Sequence, residues 1–125
     1  MFFKIKRDKA DIQFSLYIRK RDKWRCQRCG RQHEEGSKTL GASHYWGRAH
    51  ENTRFDPENA DAVCNMPCHQ IWENDEKEEY RNFKIKHLGM NGFKILQMRA
   101  NTFCRRDRKF ALIKVKFLLE SLKNK

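Results

Sequence analysis

Two pairs of cysteines in the 125-residue chain have the spacing of a metal site. Two residues separate Cys26 from Cys29, and three separate Cys64 from Cys68. Each pair can supply two neighbouring corners of a tetrahedron, and four thiolates so arranged are typical ligands of structural Zn²⁺. A zinc ion bound there would fix the ends of the intervening loop, residues 30–63, against each other.

Three polar residues in and beside that loop have the side chains that phosphodiester hydrolysis uses: His44, Asn59 and His69. A histidine, with an unperturbed pKa of about 6.5, can take a proton from water as a general base. A second histidine can ligate a divalent metal ion that neutralises charge on the phosphate and the leaving oxygen. Asn59 can hold the loop or ligate the metal, and after Pro57 it can also simply bond neighbouring backbone in a turn.

Apolar periodicity predicts the elements that would position these side chains. They are a helix over 11–22, a strand over 38–46, a second strand or extended return over 59–63, a helix from Cys68 with no breaker until Gly89, and a tail helix over 101–122 with a basic outer face. The order strand, loop, short strand, helix over 38–80 indicates an α+β fold. It places His44 on the first strand and His69 at the start of the helix.

The order of His44, Asn59 and His69 between the two cysteine pairs resembles that of HNH endonucleases. These enzymes belong to the ββα-metal (His-Me finger) group, and the version with a four-cysteine zinc is the similar one. The segment Ala42-Ser43-His44-Tyr45, then Arg48, then Thr53-Arg54-Phe55-Asp56, is most similar to small phage and prophage members, some of which are nicking enzymes. The resemblance covers roughly residues 11–80, and the chain after residue 90 carries none of it.

The resemblance implies a small ββα-metal finger tied by a four-cysteine zinc site, with a preceding helix and a helical C-terminal extension. One domain would span 1–125, with the finger core in 11–80 and a basic extension in 81–125. The implied activity is that of a metal-dependent DNA endonuclease, a hydrolase that nicks one strand per binding event. Its cofactors would be structural Zn²⁺ and catalytic Mg²⁺ or Mn²⁺.

Carried over by position, the resemblance implies that His44 is the general base and His69 a ligand of the catalytic divalent ion. Asn59 would be a further ligand of that ion or would orient His44. Many family members have Asp or His just before the base, as a second metal ligand, whereas this chain has Ser43. Glu73, four residues after His69 and on the same helix face, is another candidate ligand.

The sequence also gives expectations for several further residues. Arg48 and Arg54 are expected to bind phosphate, since a guanidinium matches phosphate bidentately. We expect Cys104 to be a buried or half-buried structural thiol. The remaining expectations are surface positions for His33, His50 and His87, and core positions around the zinc for Trp24, Trp46 and Trp72.

Charge is distributed in three blocks. The formal net charge is +12, and residues 1–31 carry +8, residues 32–80 carry −7 and residues 81–125 carry +11. Two basic ends of this size indicate a nucleic-acid binder, and the resemblance implies DNA as the partner, mostly through the phosphate backbone. Lys4 follows Met1-Phe2-Phe3 at once, so we expect no export or membrane segment and a cytoplasmic protein, bacterial or phage-encoded. We expect a monomer or weak dimer.

Two alternatives stay open at this point. A non-catalytic zinc-ribbon module that binds nucleic acid, or an accessory protein of phage packaging or recombination, would explain the cysteines and the charge equally well. Neither explains the order of His44, Asn59 and His69. Separately, His69 could take the last zinc corner in place of Cys68, which would remove a ligand from the catalytic metal.

Overall fold

The computed structural model describes residues 6–123, which form five helices and one two-stranded antiparallel sheet. The elements are α1 (Lys9–Arg21), β1 (Leu40–His44), α2 (Glu51–Arg54), β2 (Ala60–Cys64), α3 (Cys68–Gln70), α4 (Lys77–Ala100) and α5 (Arg108–Lys123). A 3₁₀ turn (Pro57–Asn59) precedes β2, and a π-helical turn (Ile71–Asp75) follows α3. The α+β class is confirmed.

A capping box starts α1. The Asp8 carboxylate accepts a hydrogen bond from the Asp11 backbone N–H (3.1 Å), and the Asp11 carboxylate accepts one from the Asp8 backbone N–H (2.8 Å). These bonds satisfy two N–H groups that a helix start leaves open. After α1 the backbone adopts positive φ at Lys23 (56°) and Trp24 (61°), which turns the chain into the first cysteine pair.

The sheet separates the cysteines from the histidine at the other end of β1. His44 pairs with Ala60 at one end of the sheet, and Leu40 pairs with Cys64 at the other. β1 is shorter than the range predicted for it, whereas β2 has the predicted length and lies one residue later; β2 is buried along its whole length. A metal ion bound at the cysteine end would therefore brace the sheet that carries His44.

The core lies between α1, the sheet and the start of α4. Phe14 and Ile18 of α1 are fully buried in this core, between α1 and the sheet. Trp72 and Tyr80 stack with their ring centroids 4.2 Å apart. Core positions are confirmed for Trp72 and Trp24, whereas Trp46 is only partly buried against the same cluster.

The helical region after β2 is interrupted, so the prediction of unbroken helix from Cys68 to Gly89 is wrong. The Glu76 N–H donates to the Ile71 carbonyl (2.6 Å), five residues earlier, which makes a π-helical turn before α4 begins. Such turns are rare and often occur at functional sites. The predicted break at Gly89 is confirmed, because φ of 78° there interrupts the helical backbone within α4.

The tail helix begins later than predicted. Residues 101–107 are irregular and exposed, and α5 begins at Arg108. The Asp107 side chain accepts from the Phe110 N–H (2.9 Å), which helps to set this start. Ala111 and Val115 bury the inner face of α5, which packs on α1. Cys104 lies in the irregular segment and is exposed, so the expectation of a buried thiol is wrong.

No helix within residues 6–123 combines the length and the apolarity needed to cross a bilayer. The expectation drawn from Met1-Phe2-Phe3-Lys4 concerns residues outside that range.

Candidate functional site

The four paired cysteines converge on one point. Their sulfur atoms all lie within 4.8 Å of one another, and all four are free thiols rather than disulfides. The sulfurs of Cys29 and Cys64 are 3.6 Å apart. That separation suits two thiolates on one tetrahedral ion, because Zn–S bonds of about 2.3 Å place the sulfurs a little under 4 Å apart. The cluster could hold a metal ion such as zinc.

Backbone hydrogen bonds at the cluster favour a thiolate at Cys26. The backbone N–H groups of Cys29 and Cys64 donate to the Cys26 sulfur (3.4 and 3.3 Å). Burial alone would raise the pKa of Cys26, but these bonds outweigh it and lower that pKa to about 7. Burial and the neighbouring sulfurs raise the pKa of Cys64 to about 12, so this thiol needs a bound cation to ionise at neutral pH. The donor set therefore fits zinc.

His33 is a contact of this cluster that the sequence did not predict. Its Nε2 lies 3.2 Å from the Cys64 sulfur, and its Nδ1 lies 2.8 Å from the Thr39 hydroxyl. The ring is buried, so the surface position expected for His33 is wrong, and burial lowers its pKa. A ring N–H donated to a metal-bound thiolate tunes the charge on sulfur. Nothing in the cysteine spacing singles out this histidine, because Cys64 reaches it only through the sheet.

Cys68 and His69 point to different sites. The Cys68 sulfur belongs to the cysteine cluster, whereas His69 Nε2 lies 2.8 Å from Glu73 Oε1. His69 therefore does not compete with Cys68 for the fourth ligand position of the metal site. The two residues are adjacent at the start of α3, where successive side chains diverge by about 100° around the axis. One side chain serves the cysteine cluster, and its neighbour faces the opening beside β1.

That opening is a cavity of about 350 Å³ between the end of β1 and the helical region after β2. We call it the histidine cavity. The residues that line it and bear on chemistry are His44, Arg48, His69, Glu73 and Lys77. Two of the three residues in the His–Asn–His set, His44 and His69, thus face the same space from opposite walls.

His44 is held in one tautomer by the backbone. Its Nε2 lies 3.0 Å from the carbonyl oxygen of Arg54, and because a carbonyl can only accept, Nε2 must carry the proton. The other nitrogen, Nδ1, keeps its lone pair and makes no hydrogen bond to any described residue. The side chain is 9% exposed, and burial together with the nearby Arg48 charge lowers the pKa of His44 to about 4. At neutral pH the ring is uncharged and can accept a proton.

Asn59 holds the loop that carries this carbonyl. Its side-chain oxygen accepts from the Trp46 N–H (2.9 Å), and its amide nitrogen donates to the carbonyls of Trp46 (2.8 Å) and Thr53 (3.1 Å). Asn59 is fully buried and does not line the histidine cavity. The geometry supports the loop-holding and orienting role among the alternatives and gives no support to Asn59 as a metal ligand.

Arg54 is buried in an ion pair, so its expected contact with DNA phosphate is wrong. Its guanidinium donates to the Asp11 carboxylate at 2.5 and 2.9 Å, and also to Glu51 at 3.2 Å. The side chain is only 1% exposed. Burial alone would raise the pKa of Asp11, but the bonds from Arg54 and from the Asp8 backbone outweigh it and lower that pKa. The pairing links α1 to the loop whose carbonyl orients His44.

We expect Arg54→Met to lower the free energy of unfolding by about 3 kcal/mol, because it leaves the buried Asp11 carboxylate without its main partner. Urea unfolding measures this loss, with Arg31→Met, at an exposed arginine, as the matched control. Arg54→Met with wild-type stability and weakened DNA binding would contradict the assignment and restore the phosphate role.

Arg48, unlike Arg54, remains a phosphate-binding candidate. It lines the histidine cavity and its side chain is 31% exposed. Its Nε is buried without a hydrogen-bond partner among the described residues, 3.5 Å from Asp11 Oδ1. The Arg48 guanidinium thus lies beside the Asp11 carboxylate, and its side chain remains partly exposed at the cavity.

Glu73 connects the two walls of the histidine cavity. Its Oε1 lies 2.8 Å from His69 Nε2 and accepts from the Ser43 hydroxyl at 3.3 Å. Burial alone would raise the pKa of Glu73, but the contacts with His69 outweigh it and lower that pKa. The carboxylate is therefore ionised beside an imidazole nitrogen, a pair of donors that suits a divalent ion.

Lys77 is a second cationic side chain at the histidine cavity that the sequence did not predict. Its ammonium donates to the Tyr45 carbonyl and lies 4.2 Å from the centroid of the Tyr45 ring. Burial lowers the pKa of Lys77, while the Glu73 carboxylate acts against this. Lys77 and Arg48 place positive charge at two edges of the cavity, where an entering phosphate would meet it.

The two remaining histidines, His50 and His87, differ in how deeply they are buried. His87 is exposed on α4, which confirms its expected surface position. His50 is half-buried, and its Nδ1 donates to the Ala100 carbonyl (2.9 Å) at the end of α4, so the surface position expected for it is wrong.

No protein-family model, curated protein or solved structure matches the chain.

Proposed function

We propose that the chain is a metal-dependent DNA endonuclease of the HNH type, with a zinc-braced ββα finger and the histidine cavity as its active site. One observation carries the proposal. His44, with Nε2 bonded to the Arg54 carbonyl and Nδ1 unbonded, faces the same cavity as the His69–Glu73 pair. A general base and a pair of metal donors on opposite walls of one opening are what hydrolysis of a phosphodiester requires.

The donor set at His69 and Glu73 fits a hard divalent ion that keeps most of its waters. One imidazole nitrogen and one carboxylate leave the remaining positions for water and phosphate oxygen, as is usual for Mg²⁺ and acceptable to Mn²⁺. Such an ion supplies charge neutralisation on the phosphate and the leaving oxygen. Ser43 is a poor ligand, and its hydrogen bond to Glu73 supports the idea that Glu73 supplies the carboxylate that many family members carry at position 43.

His44 performs the proton transfer in this proposal. Nδ1 takes a proton from the attacking water, and the bond from Nε2–H to the Arg54 carbonyl holds the ring in that orientation throughout. Arg48 and Lys77 bind the entering phosphate and position it against His44. Burial is the main cause of the lowered His44 pKa and the Arg48 charge is the second; the phosphate charge offsets the part due to Arg48, so phosphate binding makes His44 a stronger base.

The proposal is tested by incubating supercoiled plasmid with the purified protein in Mg²⁺, Mn²⁺ or EDTA. We expect relaxed circles with a metal and none in EDTA, with the zinc content of the protein checked after incubation. A single site cuts one strand per encounter, so relaxed circles should precede linear DNA. Binding of plasmid without relaxed circles in either metal would instead indicate a non-catalytic nucleic-acid-binding module or a packaging or recombination accessory.

The role of Glu73 has its own test. We expect Glu73→Gln to raise the Mn²⁺ concentration needed for half-maximal nicking by roughly 10-fold to 100-fold, because an amide is a weaker and uncharged donor. Glu78→Gln, at an exposed glutamate on α4, is the matched control. An unchanged Mn²⁺ requirement in Glu73→Gln would remove Glu73 from the proposed ligand set.

A further inference from the structure

The irregular segment between α4 and α5, residues 101–107, presents an aromatic side chain to solvent. Phe103 is 92% exposed, more than any other large apolar side chain in the described range. Two arginines, Arg105 and Arg106, follow it, and the one acidic residue, Asp107, is engaged in capping α5. We call residues 101–107 the basic loop.

The fold anchors the basic loop at both ends. At its start, His50 donates to the Ala100 carbonyl (2.9 Å) and Asn52 donates to the Arg99 carbonyl (3.0 Å). At its end, Arg106 lies 3.5 Å from Glu51. All three contacts are made by the region around α2, so the loop that carries Phe103 is held against the loop that follows β1.

That attachment places the basic loop beside the histidine cavity. Gly47 and Arg48 line the histidine cavity, and the next two residues, Ala49 and His50, line a second cavity of about 570 Å³ together with Phe103 and the two arginines. Neighbouring Cα atoms are about 3.8 Å apart, so the two openings adjoin along one loop. We therefore take DNA with a phosphate in the histidine cavity to continue over the second cavity.

We propose that the basic loop is a DNA-contacting element in which Phe103 stacks on, or wedges beside, a base next to the scissile phosphate. The inference rests on the proposed function for the position of the DNA. The charge of Arg105, which has no carboxylate partner among the described residues, complements the phosphates, and an exposed ring complements the face of an unstacked base. Such a site favours duplex DNA in which pairing or stacking is weakened at one base-pair step. Unpaired or mismatched bases cost less free energy to unstack.

The test measures binding of the full chain to a duplex that contains a three-base mismatch and to its fully paired counterpart, without added divalent metal. A 2-aminopurine in the mismatch reports stacking directly. We expect the wild-type protein to prefer the mismatched duplex. Phe103→Ala should weaken mismatch binding by about tenfold, within the range for loss of one base–aromatic stack, and abolish the 2-aminopurine change. Phe103→Trp should retain both.

Phe117→Ala is the matched control, since Phe117 is 75% exposed on α5 away from the basic loop. The proposal is overturned if Phe103→Ala binds both duplexes like the wild type, if it loses affinity for both equally, or if the wild type has no preference. None of these readouts needs catalysis. Absence of nicking with a retained Phe103-dependent preference would therefore count against the proposed function and not against this element.

Discussion

Replacing His44 with alanine is expected to lower the rate of plasmid nicking by roughly 10²–10⁴-fold, the usual contribution of a positioned general base. The fold holds this imidazole at the histidine cavity with Nε2 bonded to the Arg54 carbonyl and with Nδ1 free of hydrogen bonds to the described residues. Alanine leaves water without a proton acceptor there. Initial rates of relaxed-circle formation in Mn²⁺ measure the loss.

His87→Ala is the matched control, because that ring is exposed on α4 and lies outside the histidine cavity. Both variants should retain zinc and a wild-type unfolding transition, so that the lost rate is not lost structure. Equal nicking by His44→Ala and wild type would remove His44 from the mechanism.

The protonation state of His44 offers a check that needs no DNA. Burial and Arg48 lower its pKa to about 4, below the value of about 6.5 for an unfolded histidine. The folded state therefore binds fewer protons at His44 than the unfolded state between these values. This histidine contributes stability above about pH 6.5 that is lost as the pH falls toward 4. Nitrogen-15 NMR of the ring should show a neutral Nε2–H tautomer that does not titrate between pH 6 and 8.

Loss of the structural metal is expected to unfold the domain. Zinc bound by four thiolates contributes roughly 10–16 kcal/mol of apparent binding free energy at neutral pH. A domain of this size has a total stability of about 5–15 kcal/mol, so little or no margin is left without the ion. The sequence is only 38% hydrophobic, and the sheet has just two strands.

Cys29→Ser and Cys104→Ser test this in parallel, because both cysteines are exposed and only Cys29 belongs to the cluster. We expect Cys104→Ser to bind one zinc per chain and to melt like the wild type. Cys29→Ser should lose zinc affinity and its cooperative thermal transition in circular dichroism. A Cys29→Ser protein that melts like the wild type would show that the cluster is not needed for folding.

The sequence predicts correctly those features that depend on the spacing of residues close together in the chain. Cys26 and Cys29 converge because two intervening residues form a tight turn, and Cys64 and Cys68 converge because a strand ends where a helix starts. The His44 and His69 positions follow from the same ordered elements. These relations join residues that are close together in the sequence, so apolar periodicity and the spacing of ligand residues predict them directly.

What the sequence does not predict depends on contacts between distant segments. Arg54 looks like a loop cation until Asp11, 43 residues earlier, is brought against it. His33 meets Cys64 only after the sheet has formed, and Lys77 reaches Tyr45 only after the π-helical turn has redirected α4. Residues 101–107 contain no strong helix breaker, so their irregular course is decided by the anchoring of α4 on α2 rather than by propensity.

The Asp11–Arg54 ion pair limits how far the finger can be treated as a transferable module. An excised segment that begins at the first cysteine would keep all four zinc ligands, both cavity histidines and Asn59. It would lack Asp11, which α1 supplies to the loop whose carbonyl fixes the His44 ring. Grafting or truncation should therefore preserve metal binding more readily than the orientation of His44, and α1 belongs to the smallest unit in which the proposed active site is complete.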